Sequence, residues 1–299
     1  MSGALGCAVL FIVSYLVFVL TSSGQLVDVA LRETTFAVDP PIPPLDPENR
    51  WIAVWILAPP GLALAALTLP GGNYITLAVA SAGILASNIT TQLVKHVWLE
   101  RPELVPGAGE TNALPSGHTT MAASAAVAVF LAAPAKHRPL VGLIAALWGG
   151  GWGTYIFIEG WHRPSDMVAA YLVVAGWGLV AGWVIMRGAP QRNTLTRPTP
   201  SARIYEVLGW IIGAVLTAAS IGCLYAGGGW AGLERTLEGD PSRWHWLSGA
   251  LLSLGPAFLA AAVGIRFFHH EAGRAVPEAQ QDRSGRRLGR PFRPPGQTA

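Results

Sequence analysis

The chain has 299 residues with a formal net charge of +3; 52% of the residues are hydrophobic and only 12% are charged. Soluble domains carry about 25% charged residues, so this composition excludes an ordinary soluble protein and indicates helices embedded in a membrane. The excess Arg lies in loops and in the C-terminal tail, where it bears on orientation in the membrane and gives no reason to expect nucleic-acid binding.

Eight apolar segments approach or exceed the length of about 20 residues that is needed to cross about 30 Å of hydrocarbon. The predicted fold is therefore all-α: a polytopic membrane helix bundle. The predicted spans, in chain order, are residues 4–22, 51–70, 73–95, 117–133, 139–159, 165–186, 205–226 and 247–268.

These spans divide the chain into four predicted regions. Residues 1–190 hold a core of six spans, and the polar, Pro-containing segment 191–203 is a linker. Residues 204–268 hold two additional transmembrane helices. Residues 269–299 are rich in Arg, Pro, Gly and Gln, which predicts a disordered basic tail.

The distribution of Lys and Arg predicts the orientation. If the N-terminus is cytoplasmic, thirteen of the 20 Lys and Arg fall on the inner side and seven on the outer side. Because inner loops of membrane proteins are enriched in these residues, both termini are predicted to be cytoplasmic in a multi-pass protein of the plasma membrane.

Three polar stretches are predicted to meet at the outer side of this bundle. Lys95 and Arg101 follow the third span, and Pro115-Ser116-Gly117-His118 opens the fourth. The fifth span ends and the sixth begins at EGWHRPSD, which contains His162 and Asp166. Their common location would put two imidazoles, a carboxylate and two cations at one surface.

The stretch at Ser116 is typical of a helix start that binds an anion. Ser116 stands at the N-cap position, and the first amides of a helix lack internal partners and carry partial positive charge. Gly117 lets a ligand approach the backbone closely. An ordinary helix cap followed by an interfacial His118 remains the alternative.

The other two stretches supply charge and a nucleophile. Lys95 and Arg101 fit phosphate oxygens, although anchoring at the membrane interface also explains them. His162 and Asp166 are four residues apart, so the carboxylate is expected to fix the tautomer of the ring and leave its other nitrogen free for attack. An Asp that stabilises a helix start through the dipole is the alternative.

The order of these stretches resembles that of the type 2 phosphatidic acid phosphatase (PAP2) family of integral membrane lipid phosphatases. That family has a Lys…Arg-Pro motif, a Pro-Ser-Gly-His motif and an Arg…His…Asp motif on a six-helix core. The resemblance covers about residues 51–187 and leaves out the last two spans and the tail.

The resemblance implies a metal-independent mechanism without a cofactor. His162 would attack phosphorus to form a phosphohistidine, supported by Asp166, and His118 would protonate the leaving oxygen and then activate water. The phosphate oxygens would be held by Lys95, Arg101, Ser116 and Gly117.

Two features depart from the family pattern. Five residues, not six, separate Lys95 from Arg101, and Ile156 stands where the third motif carries its Arg. Arg163, which follows the nucleophile, is the predicted substitute for that missing phosphate ligand. Glu159 also lies close to the site and is expected to pair with Arg101 or Arg163, or else to be solvated.

The leading functional prediction is a phosphatase of the cell envelope that acts on lipid phosphates or diphosphates at the outer face. Candidate substrates are polyprenyl diphosphate, phosphatidic acid and phosphatidylglycerol phosphate, with the surrounding membrane lipids as the other partners. One alternative is transfer of the phosphoryl group to a hydroxyl, and another is a non-catalytic transporter or scaffold. The segment 25–50 is expected to be a loop that covers the site.

Overall fold

The protein is described by a computed structural model that covers residues 2–37, 51–109, 112–188, 193 and 200–288. Within these ranges the chain is all-helical and contains no strand, so the predicted all-α bundle is confirmed. In chain order the helices are α1 Ser2–Phe18, α2 Ser22–Ala37, α3 Ile52–Thr68, α4 Tyr74–Leu93, α5 Gly117–Ala132, α6 Arg138–Ile158, α7 Pro164–Gly188, α8 Pro200–Ala226, α9 Gly229–Leu237 and α10 Arg243–Leu288.

Five of these helices have segments that are long and apolar enough to cross a membrane, so the chain is a multi-pass membrane protein. The segments are Tyr74–Trp98, Arg138–Ile158, Pro164–Gly188, Ala202–Ala226 and Arg243–Glu271. They correspond to five of the eight predicted spans, at residues 73–95, 139–159, 165–186, 205–226 and 247–268.

The other three predicted spans, at residues 4–22, 51–70 and 117–133, are shorter helices. α3 and α5 are apolar but have only 17 and 16 residues. α1 qualifies only together with α2, and the two helices are bent by 85° relative to each other. The count of eight therefore stays a prediction, since five or six spans satisfy the length and composition of a crossing helix.

Small residues bring the helices of the bundle close together. A Cβ added to Gly149 of α6 would lie 3.1 Å from the Cβ of Ala123 in α5, so the two helices are nearly in backbone contact. A Cβ on Gly150 would meet Leu254 and Ala257 of α10 at 2.8 and 3.0 Å. Close approach through Gly and Ala is how helices associate in a membrane, where burial of apolar surface gives little preference for protein over lipid.

The C-terminal helices α8 and α10 pack against each other, and α10 also packs along α6 and α7. The Tyr171 hydroxyl of α7 donates a hydrogen bond of 2.7 Å to the Ser253 carbonyl of α10. α10 is helical as far as Leu288, inside the segment that was predicted to be a disordered tail, while residues 289–299 and most of the linker lie outside the described residues. The division into core, linker and tail stays a prediction.

Candidate functional site

The three polar stretches lie at one end of the bundle, which we call the site end: α4 and α6 finish there, and α5 and α7 begin there. Lys95 belongs to a π-helical turn, Val94–Trp98, that ends α4, and the chain then runs through Arg101 to α5. His162 lies in the short turn between α6 and α7. Turns of this π type often occur at functional sites.

His162 and Asp166 form a hydrogen-bonded pair in which Nδ1 of the ring lies 2.9 Å from Oδ2 of the carboxylate. The same oxygen accepts a hydrogen bond of 3.1 Å from the Arg163 amide. His162 is 8% exposed and Asp166 is fully buried. Because α7 begins at Pro164, these contacts lie within its entry turn, and they leave Nε2 of His162 as the ring nitrogen available to a ligand.

The Ser116 stretch is joined directly to this pair through the backbone. The Ser116 amide donates to the Asp166 carbonyl at 3.0 Å, which ties the start of α5 to the start of α7. The Ser116 side chain accepts from the Thr119 amide at 3.4 Å, so Ser116 is the N-cap of α5 as predicted. Thr120 then contacts Thr91 of α4 at 3.0 Å and links a third helix to the assembly.

His118 occupies the first turn of α5 and faces the same region. Its ring lies 5.6 Å from that of Trp161, the residue before His162, and it interacts electrostatically with both His162 and Lys95. The structure therefore brings the two predicted imidazoles and the predicted Lys together. A Cβ added to Gly117, next to His118, would lie 3.5 Å from the Gln92 side chain, which is ordinary van der Waals contact.

Arg101 is the least compensated charge at the site end. It is 3% exposed, yet Nε, Nη1 and Nη2 all lack a hydrogen-bond partner among the residues that the structure describes. Burial and the neighbouring charge of Arg163 lower the pKa of its guanidinium, while Asp28 and Asp166 act in the opposite direction. A buried charge without hydrogen bonds is strongly unfavourable, so this side chain fits an anion that supplies the missing acceptors.

Arg163, which was predicted to bind phosphate, makes a hydrogen bond to the protein backbone. Its Nη2 donates to the Ala108 carbonyl in the loop between α4 and α5, while its Nε has no partner within the described ranges. The side chain is 6% exposed. Its role as the substitute for the missing Arg at Ile156, a fully buried position, stays a prediction.

Glu159 forms neither of the ion pairs that were considered for it. In the described part of the chain no acidic partner of Arg101 or Arg163 lies within ion-pair distance, and Oε1 of Glu159 has no hydrogen-bond partner. The described residues also contain no group of three His, Cys, Asp or Glu side chains arranged to hold a metal ion.

Sequence reasoning missed the part of the site that α2 contributes. The segment was expected to be a covering loop, but residues 22–37 form a helix whose polar residues bond directly to the site; residues 38–50 are outside the described residues. Asp28 accepts hydrogen bonds from the amide and the hydroxyl of Ser165, and Arg32 donates to the Gly160 carbonyl at 2.8 Å. The signal was present in the sequence, because Gln25, Asp28 and Arg32 have the i, i+3, i+7 spacing of one helix face.

The arrangement combines an imidazole held by a carboxylate, a second imidazole, a capped helix start and a guanidinium without a hydrogen bond in the described residues. Such a set can bind a phosphate group, attack its phosphorus and protonate a leaving oxygen. It provides positive charge where phosphoryl transfer develops negative charge.

Comparison with protein families matches residues 74–193, about two fifths of the chain, to the PAP2 superfamily. The match includes α4 to α7 and every residue of the three polar stretches. No curated protein and no solved structure matches the chain.

Proposed function

Because the match over residues 74–193 is consistent with a PAP2 family member, a superfamily generally made up of phosphatases acting on phosphate esters, we propose that the protein hydrolyses lipid phosphates or diphosphates through a phosphohistidine. The observation that carries this proposal is the buried guanidinium of Arg101, which has no hydrogen-bond partner among the described residues and lies beside the His162–Asp166 pair. A phosphate group would supply acceptors to Arg101 and a reacting centre to His162.

The proposed reaction has two steps. In the first, Nε2 of His162 attacks phosphorus, a P–N bond forms, the P–O bond to the leaving group breaks, and His118 gives its proton to the leaving oxygen. In the second, His118 takes a proton from water, the water oxygen attacks phosphorus, and the P–N bond breaks. Asp166 holds Nδ1 of His162 and stabilises the charge that the ring carries between the two steps.

The phosphate oxygens are proposed to be held by Lys95, Arg101, the amides at the start of α5, and Arg163. Arg101 is positioned for this by its burial, and α5 by the cap that Ser116 provides. The amides at the start of α5 are fixed by this cap, so they need little reorganisation when charge develops in the transition state.

A lipid substrate is supported by a partly open apolar cavity of about 410 Å³ that is lined by α1, α5, α6, α7 and α10. Its lining includes Ala123 and Tyr171, which lie five residues beyond His118 and Asp166 on their helices, and it extends to Phe268. Its volume is in the range of ligand pockets, about 300–1,000 Å³, and its lining suits a hydrocarbon tail more than a soluble phosphate ester.

The distribution of Lys and Arg supports the orientation that we propose, with both termini cytoplasmic and the site end on the outer side. Intact cells should then hydrolyse a membrane-impermeant phosphate ester added outside. Activity that appears only after the membrane is permeabilised would reverse this orientation.

The decisive experiment is release of phosphate by purified wild type and His162→Ala from a panel of polyprenyl diphosphate, phosphatidic acid and phosphatidylglycerol phosphate. We expect the wild type to release phosphate with and without a chelator, and His162→Ala to lose at least about a thousandfold in rate. Equal release by both proteins would overturn the proposal. In ¹⁸O-labelled water the label should enter the released phosphate, whereas a phosphotransferase would deliver unlabelled phosphate to an acceptor hydroxyl.

A further inference from the structure

α2 contacts two of the three polar stretches of the site end through one face. Gln25 donates a hydrogen bond of 2.6 Å from Nε2 to the Pro102 carbonyl and accepts one of 2.9 Å from the Leu104 amide. It therefore holds the segment that follows Arg101. One turn further along, Asp28 holds Ser165; one turn beyond that, Arg32 holds Gly160. The three side chains thus fasten the Arg101 loop and both ends of the His162 turn to a single rigid helix.

Two of these side chains, Gln25 and Asp28, are buried, although an amide or a carboxylate is unfavourable to bury without hydrogen bonds. Gln25 is fully buried and Asp28 is 1% exposed. Burial of an amide or a carboxylate is tolerated when its hydrogen bonds are made, and both side chains have found partners outside α2. The polar face of α2 is therefore a built contact and not a solvated surface.

The bond between Asp28 and Ser165 lies in the first turn of α7, directly beside Asp166. Ser165 is the second residue of α7, whose first amides have no partner inside the helix. Asp28 satisfies the Ser165 amide at 3.2 Å and also takes the Ser165 hydroxyl, so it fixes the first turn of α7 from outside. The next residue in that turn is Asp166, which orients His162.

Asp28 is also electrostatically close to the charged groups of the site. Its carboxylate interacts with Asp166, Arg101 and Arg163, in addition to its hydrogen bonds to Ser165. A change of charge at Asp28 is therefore felt by the pair that would carry out the chemistry.

The turn before His162 fits closely under α2. Gly160 has a φ of +71°, and a Cβ on it would lie 2.7 Å from Oγ1 of Thr35 and 2.8 Å from the ring of Phe36. Only glycine combines this conformation with this clearance. The Gly160 carbonyl that accepts from Arg32 is thereby turned toward the helix.

α2 is itself held in place by the C-terminal extension. Leu26 and Ala30, on the apolar side of α2, belong to one buried cluster with Leu233 of α9 and Ala250 of α10. α9 and α10, which lie beyond the family match, therefore pack against the side of α2 that faces away from the site. The sequence did not indicate this support.

We propose that Asp28 is a positioning residue for the phosphatase reaction, which holds the first turn of α7 so that His162 and Asp166 face Arg101. The proposal rests on the proposed function. Asp28 acts through Ser165 and does not touch the substrate. In this way α2 restrains the turn that carries His162 and Asp166. The Arg that the family motif places before this turn is Ile156 here.

The test compares Asp28→Asn with Glu33→Gln, a matched removal of one negative charge from the same helix, in purified full-length protein. Asp28→Asn keeps the shape of the side chain but loses its charge and one acceptor. Because a small misplacement of a reacting group costs up to about a hundredfold in rate, we expect kcat to fall about tenfold to a hundredfold while KM stays within about threefold. Glu33→Gln should match the wild type.

The pH profile separates positioning from a general loss of structure. Burial and the neighbouring Asp166 carboxylate raise the pKa of Asp28 to about 7, while Ser165, Arg101 and Arg163 act in the opposite direction, so Asp28 changes its charge near neutral pH. The kcat/KM profile of the wild type should therefore contain a step near pH 7 that Asp28→Asn lacks and Glu33→Gln retains. A variant that is merely less stable would lose active protein and keep this step.

Ser165→Ala provides a second variant that decides the matter if Asp28→Asn does not fold. It removes only the hydroxyl donor, so kcat should fall about threefold to tenfold, and combination with Asp28→Asn should add little, because both act through one contact. An active wild type with unchanged kcat and pH profile in both Asp28→Asn and Ser165→Ala would overturn this proposal alone. A wild type without activity sensitive to His162→Ala would overturn the proposed function and this proposal with it.

Discussion

Two buried arginines at opposite ends of the bundle differ in how their charge is satisfied. Arg138, at the start of α6, is 5% exposed. Its Nη2 donates to the Leu131 and Ala133 carbonyls at 3.3 and 2.9 Å and to Asn193 at 2.5 Å, while its Nε has no partner within the described residues. Arg101 is equally buried at the site end, and none of its three nitrogens has a partner in the described ranges.

The difference separates a structural charge from a binding charge. Arg138 also lies 5.6 Å from the ring of Phe268, and its acceptors include the last carbonyls of α5, so it caps that helix and joins it to α10. The Asp28 and Asp166 carboxylates favour the charge of Arg101, but no hydrogen bond is made to it in the described residues, as is expected of a group that binds an anion. Four predictions sharpen or break this comparison, from the largest expected effect to the smallest.

Arg101→Gln should lower kcat/KM by about a hundredfold to a thousandfold, since removal of one preorganised donor to a developing oxyanion costs about this much. Stability should not fall, because the guanidinium makes no hydrogen bond within the described residues. Steady-state kinetics and thermal unfolding of the same preparation check both statements.

A binding measurement checks the same residue without turnover. Orthophosphate at 100 times its Kd stabilises a folded protein by about 2.7 kcal/mol. Wild type should therefore melt at higher temperature when orthophosphate is added, and Arg101→Gln should not respond. An undiminished response in the variant would mean that Arg101 is a structural charge like Arg138.

Arg138→Gln should show the reverse behaviour. Loss of hydrogen bonds from a buried charged donor costs about 1.5–3 kcal/mol, because the carbonyls that it satisfied are left without a partner. The midpoint of thermal unfolding should drop, while kcat/KM of the folded fraction stays at the wild-type value. Loss of kcat/KM without loss of stability would break the contrast between the two arginines.

Arg163→Ala tests a residue that combines both characters, since Nη2 donates to Ala108 and Nε is unpartnered among the described residues. If Arg163 replaces the Arg that Ile156 lacks, kcat/KM should fall about tenfold, equivalent to about 1.4 kcal/mol of transition-state stabilisation. Arg163→Lys should recover only part of this loss, because Lys cannot hold two oxygens at once. Full turnover and affinity in Arg163→Ala would remove Arg163 from the site.

Tyr171→Phe should have the smallest effect. The hydroxyl donates to the Ser253 carbonyl between α7 and α10, and loss of such a bond costs about 1 kcal/mol of stability. Turnover should not change, since Phe keeps the ring that lines the cavity and the lost hydroxyl is bonded to Ser253. A large loss of activity would indicate that the C-terminal helices act on the site through Tyr171 as well as through α2.

The chemistry-bearing residues of the site were within reach of the sequence because they are adjacent in it. Ser116 to His118 and His162 to Asp166 are each a few residues long, and their local geometry follows from a helix cap and from one helical turn. The spacing predicted the hydrogen bond between His162 and Asp166, which the structure contains at 2.9 Å.

The partners of Asp28 were out of reach for the opposite reason. Asp28 and Ser165 are 137 positions apart, and no local pattern in either segment indicates that the two residues pair. The pairing of Gln25 with Leu104 spans 79 positions, and that of Arg32 with Gly160 spans 128. The helical nature of α2 was also missed, because the several Pro residues of the segment 25–50 favoured a loop.

By itself the sequence determined that this protein is a bundle of apolar helices and that its polar chemistry sits at the ends of α4 to α7, since hydrophobic length and motif spacing are local properties of the chain. Only the tertiary structure decided which buried charges are satisfied. The sequence does not distinguish Arg101 from Arg138. They differ in hydrogen-bond acceptors, which Leu131, Ala133 and Asn193 supply to Arg138.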